Sequence, residues 1–412
     1  MKPHVEGAPG LTWRKTAKGW EALWRARADI VRKGFAPKNR RLWSGIEPTE
    51  IEAKMIADQC TSLQDEMLLF SRGGLPEIGT FDGTLAALAK CYQIDPDSTY
   101  HKSRFSVRRN HDRMLRRISD KHGDVRLADI RGRMILGWHK DWSHQGEKVA
   151  IGHAFVAMLR SLFGFGRTIL EDPECERLSG LLSGMRFPMT KPRTERLTAH
   201  QAAAVRAQAR IAGWPSIAIA QAIQFDLMLR QKDVIGEWVP LREPGMSATV
   251  RGGLKWVIGV DYAEIDAKLI LRHTTSKRGK PIEVDLKLAP MVLEELAAVA
   301  GVTPGALARE HLPASGPIVV CETTGTPYSA AEFRRKWRIC ADLAGVPKEV
   351  KNMDSRSGAI SEATDAGADL EKIRHAATHS DISMTQRYSR GSVEKTAEVM
   401  QLRKDYRSKN KE

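Results

Sequence analysis

Apolar positions along the chain recur at two spacings, and the changes of spacing mark out segments. From Trp20 to Arg27 (Trp-Glu-Ala-Leu-Trp-Arg-Ala-Arg) large alternates with small and then apolar with basic, the period of a strand. Gly19 and Gly34 flank this stretch at turn positions. Residues 1–43 hold eleven Lys or Arg against three acidic residues, with Trp13, Trp20, Trp24 and Trp43 set among them. The pattern predicts a small basic β-unit over 1–45. The alternative is a basic tail without fixed structure that only raises non-specific affinity. Over 44–75 the period becomes helical (Ile51, Met55, Ile56, Leu63, Met67, Leu68) and stops at Gly73-Gly74-Leu75-Pro76, which predicts a connector helix within 46–80.

Residues 81–187 read as a helical unit. Leu85, Leu88, Ala89 and Tyr92 share one helix face. Asp97 or Ser98 is placed to cap the next helix, with Val107, Met114, Leu115 and Ile118 on its apolar side. Its other faces carry Lys102, Arg104, Arg108, Arg109, Arg113, Arg116 and Arg117. Further helices run through Ile135, Trp138 and Trp142, and through Phe155, Met158, Leu159, Leu162 and Phe163. A charge run is ordinarily a solvated face, but like charges one turn apart repel unless a polyanion lies against them. This run is almost all of one sign, which favours a face turned to nucleic acid.

Residues 188–197 hold two prolines with Lys191 and Arg193, an extended linker able to follow a polyanion. Thr198-Ala199-His200-Gln201 is a capping box that opens the last large unit, 198–390. Helices are expected near 198–212 and 215–231, β-rich sequence from 255 to 286, a helix near 290–300, a strand at Ile318–Val320, and helix onward to about 402. Residues 391–412 read as a short tail helix (Val393, Ala397, Met400, Leu402) with a basic end. The whole is multi-domain and mainly α with a small β component.

Composition adds a partner. Net charge is +15 over 412 residues, and neutralising phosphates is the commonest use of such a charge. Cys60, Cys91, Cys175, Cys321 and Cys340 are odd in number and widely spaced, which reads as free thiols in a reducing compartment. No apolar leader or membrane-length run stands out, so a cytoplasmic, nucleoid-associated protein with no membrane partner is expected.

Within 198–390 several residues invite chemistry. Arg230 follows an apolar helix end, with Asp233 three residues on; its plain explanation is a surface arginine paired with Asp233 or Glu237. Lys277 sits at the tip of a strand–turn–strand over 268–286; its plain explanation is a basic tip that discourages edge pairing. Then come Met353-Asp354-Ser355-Arg356 and the run Thr378-His379-Ser380-Asp381-Ile382-Ser383-Met384-Thr385-Gln386-Arg387-Tyr388. Taken singly, His379 reads as a cap or core histidine and Tyr388 as a half-buried helix tyrosine.

In order and spacing the set resembles the tyrosine recombinase (phage integrase) family over roughly 198–390. Leu229-Arg230 with Asp233-Val234 resembles its first arginine motif, Thr275 to Lys280 with Val284-Asp285-Leu286 its lysine hairpin, and Met353 to Gly358 its second arginine motif. Thr378 to Tyr388 echoes its "GHSSISTTQRY" segment closely. The resemblance implies a catalytic domain at 198–390, a core-binding DNA-binding domain at 81–187, and, more loosely, an arm-type DNA-binding unit at 1–45. It implies that Tyr388 attacks DNA to form a 3′-phosphotyrosine. Arg230, Arg356 and His379 would then donate to the phosphate oxygens, and Lys277 would protonate the leaving 5′-oxygen. By analogy with a lost oxyanion-hole donor, each such group is worth about 3–4 kcal/mol. No cofactor and no metal are implied. Arg25, Arg27, Arg104, Arg108, Arg109, Arg113, Arg116, Lys191 and Arg193 are the DNA-contact candidates. The expected partners are double-stranded attachment sites, a homotetramer on DNA, and accessory bending or directionality proteins. The tail is expected either on a neighbouring protomer or on its own domain.

One position departs from the family. Met353 stands where a histidine is usual, and a thioether moves no proton. Three readings follow: a slower enzyme, a substitute group (His375, His273 or Asn352), or a recombinase-derived protein that binds DNA with weak or no catalysis. A type IB topoisomerase-like relaxing enzyme uses the same chemistry and is a further rival. His375 and His379 have the i,i+4 spacing of zinc peptidases but lack the glutamate between them.

Overall fold

The computed structural model describes residues 2–17, 19–33, 35–71, 81–379, 381–386, 400–401 and 403–404. The chain divides into two compact units. Unit 1 comprises Met1–Arg193 with Pro240–Met246, and unit 2 comprises Thr194–Val239 with Ser247–Glu412.

Unit 1 opens on an antiparallel sheet of β1 (Leu11–Thr16), β2 (Gly19–Arg25) and β3 (Asn39–Gly45), with α1 (Ala28–Val31) between the last two strands. The strand alternation works as expected: Ala22 and Trp24 face inward and Arg25 outward. Strand β3 runs to Gly45, so the following helix, α2 (Glu50–Ser71), starts later than the apolar spacing alone suggests. Ile56, Cys60, Leu63 and Met67 of α2 share a core with Trp24, Leu42 and Trp43 of the sheet.

The rest of unit 1 is helical: α3 (Leu85–Ile94), α4 (Thr99–Lys102), α5 (Phe105–His122), α6 (Gly132–Trp142), α7 (Val149–Thr168) and α8 (Pro173–Gly184). The single helix expected after Ser98 is in fact two. Ser98 caps α4, which ends at Ser103, an extended residue whose hydroxyl donates to the Thr99 carbonyl at 3.0 Å. Helix α5 restarts with Arg104 as its N-cap. Helix α7 is long and apolar enough to cross a membrane by length and composition, a run that the sequence reading passed over. Here Phe155, Val156, Leu159, Leu162 and Phe163 are buried with Leu88, Ile118 and Leu178 as the centre of the helical core.

Unit 2 is built around α10 (Pro215–Asp226), buried along nearly its whole length. On it pack α9 (Ala199–Ile211), α12 (Pro290–Ala300), α13 (Ala330–Leu343) and α14 (Asp354–Asp365). The capping box that opens α9 is formed by Thr198 and Gln201. Arg206 of α9 reaches Glu294 and Glu295 of α12 at 2.6 and 2.7 Å. The short α11 (Gln231–Ile235) leads into β4 (Glu237–Pro240), which joins β5 (Val250–Arg251) and β6 (Leu254–Val257) in the order β4-β6-β5. Strands β7 (Ile270–Thr274) and β8 (Pro281–Asp285) form an antiparallel hairpin, and β9 (Val320–Cys321) pairs with β10 (Thr326–Pro327). Strand β9 starts two residues later than the apolar triplet Ile318–Val320 suggests, because Ile318 instead bonds through its N–H to the Val260 carbonyl. Helices α15 (Leu370–Ala376) and α16 (Ile382–Gln386) complete the described chain apart from four residues near the C-terminus. The expected tail helix falls largely outside the described residues.

One close approach fixes α14. The chain at Glu195–Leu197 lies across it, with Leu197 N–H donating to the Asp354 carbonyl and the Ser357 hydroxyl donating to the Glu195 carbonyl, both at 3.2 Å. A Cβ on Gly358 would stand 1.8 Å from the Leu197 carbonyl oxygen, so only glycine fits. Gly358→Ala is therefore expected to destabilise unit 2 by about 3 kcal/mol, as overpacking against backbone does. Urea denaturation followed by tryptophan fluorescence checks this, and an unchanged midpoint would contradict it.

Candidate active site

The site is assembled where three chain reversals of unit 2 meet. The first follows α10. That helix was expected to run to about residue 231 but stops at Asp226, whose carboxylate accepts the N–H groups of Met291 and Val292 at the start of α12. Met228 then takes a left-handed conformation (φ 52°), and Arg230 is extended as the N-cap of α11. Its guanidinium Nη1 lies 4.0 Å from Asp233 Oδ2. Asp233 is fully buried, and its Oδ1 accepts the Ser276 N–H at 2.6 Å. One carboxylate thus faces Arg230 and also fastens the residue next to Lys277. The ion pair suggested by the sequence exists, yet its acid is not a surface group.

The second reversal is the β7–β8 hairpin. Thr275 N–H donates to the Lys280 carbonyl at 2.9 Å, and Gly279, with φ 63°, makes the left-handed turn residue that the hairpin needs. Lys277 is exposed at the tip. Lys280, which sequence reasoning did not single out, donates from Nζ to the His379 carbonyl at 3.1 Å. The only signal for it was its place in the basic run Lys277-Arg278-Gly279-Lys280.

The third reversal follows α15. Ala377 is its C-cap, Thr378 is left-handed (φ 53°), and the next residue, His379, turns inward. His379 is buried, its N–H donates to the Arg374 carbonyl, and its Nδ1 lies 2.9 Å from Thr385 Oγ1 in α16. His375 stays on α15 and is exposed, so the two histidines do not form the one-face pair that their spacing suggests. Arg356 of α14 is buried where the reversals meet, donating from Nη1 to the Met228 carbonyl and from Nη2 to the Ala377 carbonyl.

Electrostatics tie these groups together. Burial lowers the His379 pKa, and the charges of Arg356, Arg230, Lys280 and Lys277 lower it further, to about 4. Four cations from three separate stretches of sequence therefore act on one imidazole, which is neutral at pH 7. Tyr388 lies outside the described residues. Met353 is 59% exposed at the N-cap of α14. Of the candidate substitutes for the histidine absent there, Asn352 is buried beside it. His273 is buried on β7, with Nδ1 2.9 Å from the Glu264 carboxylate, and His375 is exposed.

The DNA-contact candidates of unit 1 differ among themselves. Arg104, Arg109, Arg113 and Arg116 are exposed on or at the head of α5, and Arg25 is exposed at the end of β2. Arg27 is exposed but paired with Asp29 at 2.8 Å. Lys191 and Arg193 are exposed after α8. Arg108 is the exception: its guanidinium is largely buried against the Glu243 carboxylate and the Ser103 carbonyl. No sequence signal pairs residues so far apart in the chain.

The histidine carries a sign that can be measured. An unfolded histidine titrates near 6.5 and His379 near 4, so between those values the unfolded chain binds the extra proton. Its contribution to stability is complete above about pH 6.5 and is lost as pH falls toward 4, by at most about 3 kcal/mol. His379→Gln is expected to flatten the acid limb of unfolding free energy against pH relative to wild type. Identical slopes in urea melts across that window would contradict the buried neutral imidazole.

No protein-family model and no curated protein sequence matches the chain. Solved structures do. A lambda integrase dimer bound to a COC′ core site matches with a TM-score of 0.55 at 16% identity, covering 94% of this chain and 96% of that one. A lambda integrase tetramer bound to a Holliday junction matches with a TM-score of 0.55 at 14% identity over the same shares. The Tn1549 transposon integrase in complex with circular intermediate DNA matches with a TM-score of 0.51 at 12% identity, covering 77% of this chain and 99% of that one. Identities this low speak for architecture, and with it this chain has the fold of the tyrosine recombinase integrases.

Proposed function

We propose that this protein is a site-specific DNA recombinase that cleaves and rejoins DNA through a 3′-phosphotyrosine. The observation that carries the reading is the convergence of Arg230, Lys277, Lys280 and Arg356 on His379, in a chain whose net charge is +15. A cluster of cations with few carboxylates is costly in isolation, and a phosphodiester supplies the missing negative charge. The similar integrases in solved structures are bound to DNA as a dimer and as a tetramer. We extend both features to this chain as a DNA-bound homotetramer, with accessory bending or directionality proteins as further partners and the nucleoid as its place of work.

In this reading the Tyr388 oxygen attacks phosphorus and the bond to the 5′-oxygen breaks. Lys277 gives its proton to that leaving oxygen. Arg230 and Arg356 hold the non-bridging oxygens, for which the planar fork suits better than an ammonium. Neutral His379 adds a ring N–H donor. Asp233 is a positioning residue, since it orients Arg230 and the hairpin that carries Lys277. The phosphotyrosine keeps the energy of the cleaved bond, so a second strand's 5′-hydroxyl reverses the step without ATP. Residues 81–187 serve as the core-binding domain, with α5 and the 188–197 linker along the duplex. The basic unit over 1–45 binds a second, arm-type DNA site, and 198–390 is the catalytic domain.

A second reading, a DNA-binding protein without turnover, is favoured by Met353 alone. Incubating the protein with nicked duplexes of randomised core sequence separates the two. Wild type is expected to leave a denaturant-resistant protein–DNA adduct, which Tyr388→Phe abolishes and Arg356→Ala slows on the order of 10²- to 10³-fold. Met353→His is expected to speed adduct formation. Retained DNA binding with no adduct from wild type or from Met353→His would sink the recombinase reading in favour of the binding protein. Relaxation of supercoiled plasmid without strand exchange would instead mark a topoisomerase-like enzyme.

A further inference from the structure

Between the β7–β8 hairpin and Arg356 in sequence, unit 2 holds a second reactive cluster beneath the β9–β10 turn. Cys321 ends β9 and is buried. Lys336 of α13 is buried too, and its Nζ lies 3.5 Å from Cys321 Sγ. The same ammonium is 3.4 Å from Thr323 Oγ1 and 4.0 Å from Glu322 Oε2. It also sits over the rings of Trp214 and Tyr328, at 5.0 and 5.4 Å. The Tyr328 hydroxyl lies 2.8 Å from Ser216 Oγ and 3.2 Å from Glu322 Oε2. The roof over the cluster is thin, because Glu322, Thr323, Thr324 and Gly325 are all exposed.

This setting is unlike that of the other thiols. Burial raises Cys60, Cys91, Cys175 and Cys340 above the ordinary thiol range, which keeps them protonated and inert. Burial acts on Cys321 as well, but hydrogen bonds from the Thr324 side chain, the Thr323 and Thr324 backbone and the Tyr328 hydroxyl outweigh it and bring the thiol down to about 7. A buried thiol so lowered, with an ammonium 3.5 Å away, is primed both to be oxidised and to be captured by its neighbour.

We propose that Cys321 and Lys336 are a modification site that closes into a reversible covalent bridge on exposure to hydrogen peroxide. The thiolate attacks one peroxide oxygen, the O–O bond breaks, and Cys321 becomes a sulfenic acid. The departing hydroxide takes a proton from the Lys336 ammonium and leaves as water. The amine lone pair so released attacks Sγ, the S–N bond forms and the S–O bond breaks. The hydroxyl leaves with an amine proton as a second water. Overall, one thiolate, one ammonium and one peroxide give a sulfenamide and two waters: sulfur is oxidised by two electrons and peroxide is reduced by two. A thiol reductant attacking sulfur restores both side chains. The bridge joins the β9–β10 hairpin to α13, next to Trp337. Trp337 Nε1 donates to Gln221 Oε1 at 2.7 Å, and Gln221 in turn donates to the Ser355 hydroxyl at 3.1 Å.

The test treats the full-length protein with hydrogen peroxide at low molar excess, then maps its proteolytic peptides by mass spectrometry with and without dithiothreitol. The expected product is the Cys321 and Lys336 peptides joined, two hydrogens lighter than their sum, appearing before oxidation of the other four cysteines and vanishing on reduction. Lys336→Met, verified as folded by circular dichroism, is expected to lose the joined peptide and to carry Cys321 on to sulfinic acid. Two results on wild type alone would overturn the proposal: no preference for Cys321, or its conversion to sulfinic acid without any joined peptide.

Discussion

A single guanidinium closes unit 2 around its site. Helices end with carbonyls that have no partner within the helix, and burying such groups unmet costs about 1–3 kcal/mol each. Arg356 donates to two of them at once, Met228 just after α10 and Ala377 at the end of α15. Each carbonyl belongs to the residue at, or just before, a left-handed position (Met228 and Thr378), so the same side chain that satisfies the helix ends also sits at both reversals. Arg230 follows the first and His379 follows the second. The positions of all three groups thus depend on one buried arginine, itself held by the close crossing of Glu195–Leu197 over α14. A lysine could not replace it, because an ammonium has no planar fork to span two fixed acceptors.

The cations around His379 set the energetic character of the region. Each lowers the affinity of the imidazole for a proton, and each repels the others. Asp233, a buried carboxylate beside these cations, divides itself between Arg230 and a backbone N–H. Such an arrangement is preorganised for an anion, since its donors are held by the fold before any ligand arrives.

The sequence was most readable where local chemistry decides structure. The Thr198–Gln201 capping box, the β7–β8 hairpin with Lys277 at its tip and the inward alternation of β2 all formed as their patterns imply. Reading failed where a distant group overrides propensity. Helix α10 ends early because Asp226 is recruited by the start of α12, 65 residues on. The helix expected after Ser98 is interrupted by the extended residues Ser103 and Arg104, an interruption that the apolar spacing does not mark. Met228 and Thr378 are left-handed without being glycine, so composition gave no warning of either reversal. Asp233 looked like the surface partner of Arg230, because sequence adjacency cannot reveal that it also holds Ser276. For the same reason the pairing of Arg108 with Glu243, 135 residues apart, left no trace in the pattern.

Met353 stands apart from all this. It projects into solvent at the head of α14, and its side chain caps nothing. Its neighbours are enclosed instead: Asn352 and Asp354 are buried, and Arg356 is the clasp itself. A position free of packing constraint, set among positions that have none to spare, can exchange its side chain without disturbing the fold. One residue change there could therefore exchange a thioether for a proton-handling side chain while every helix end and ion pair around it stays as it is.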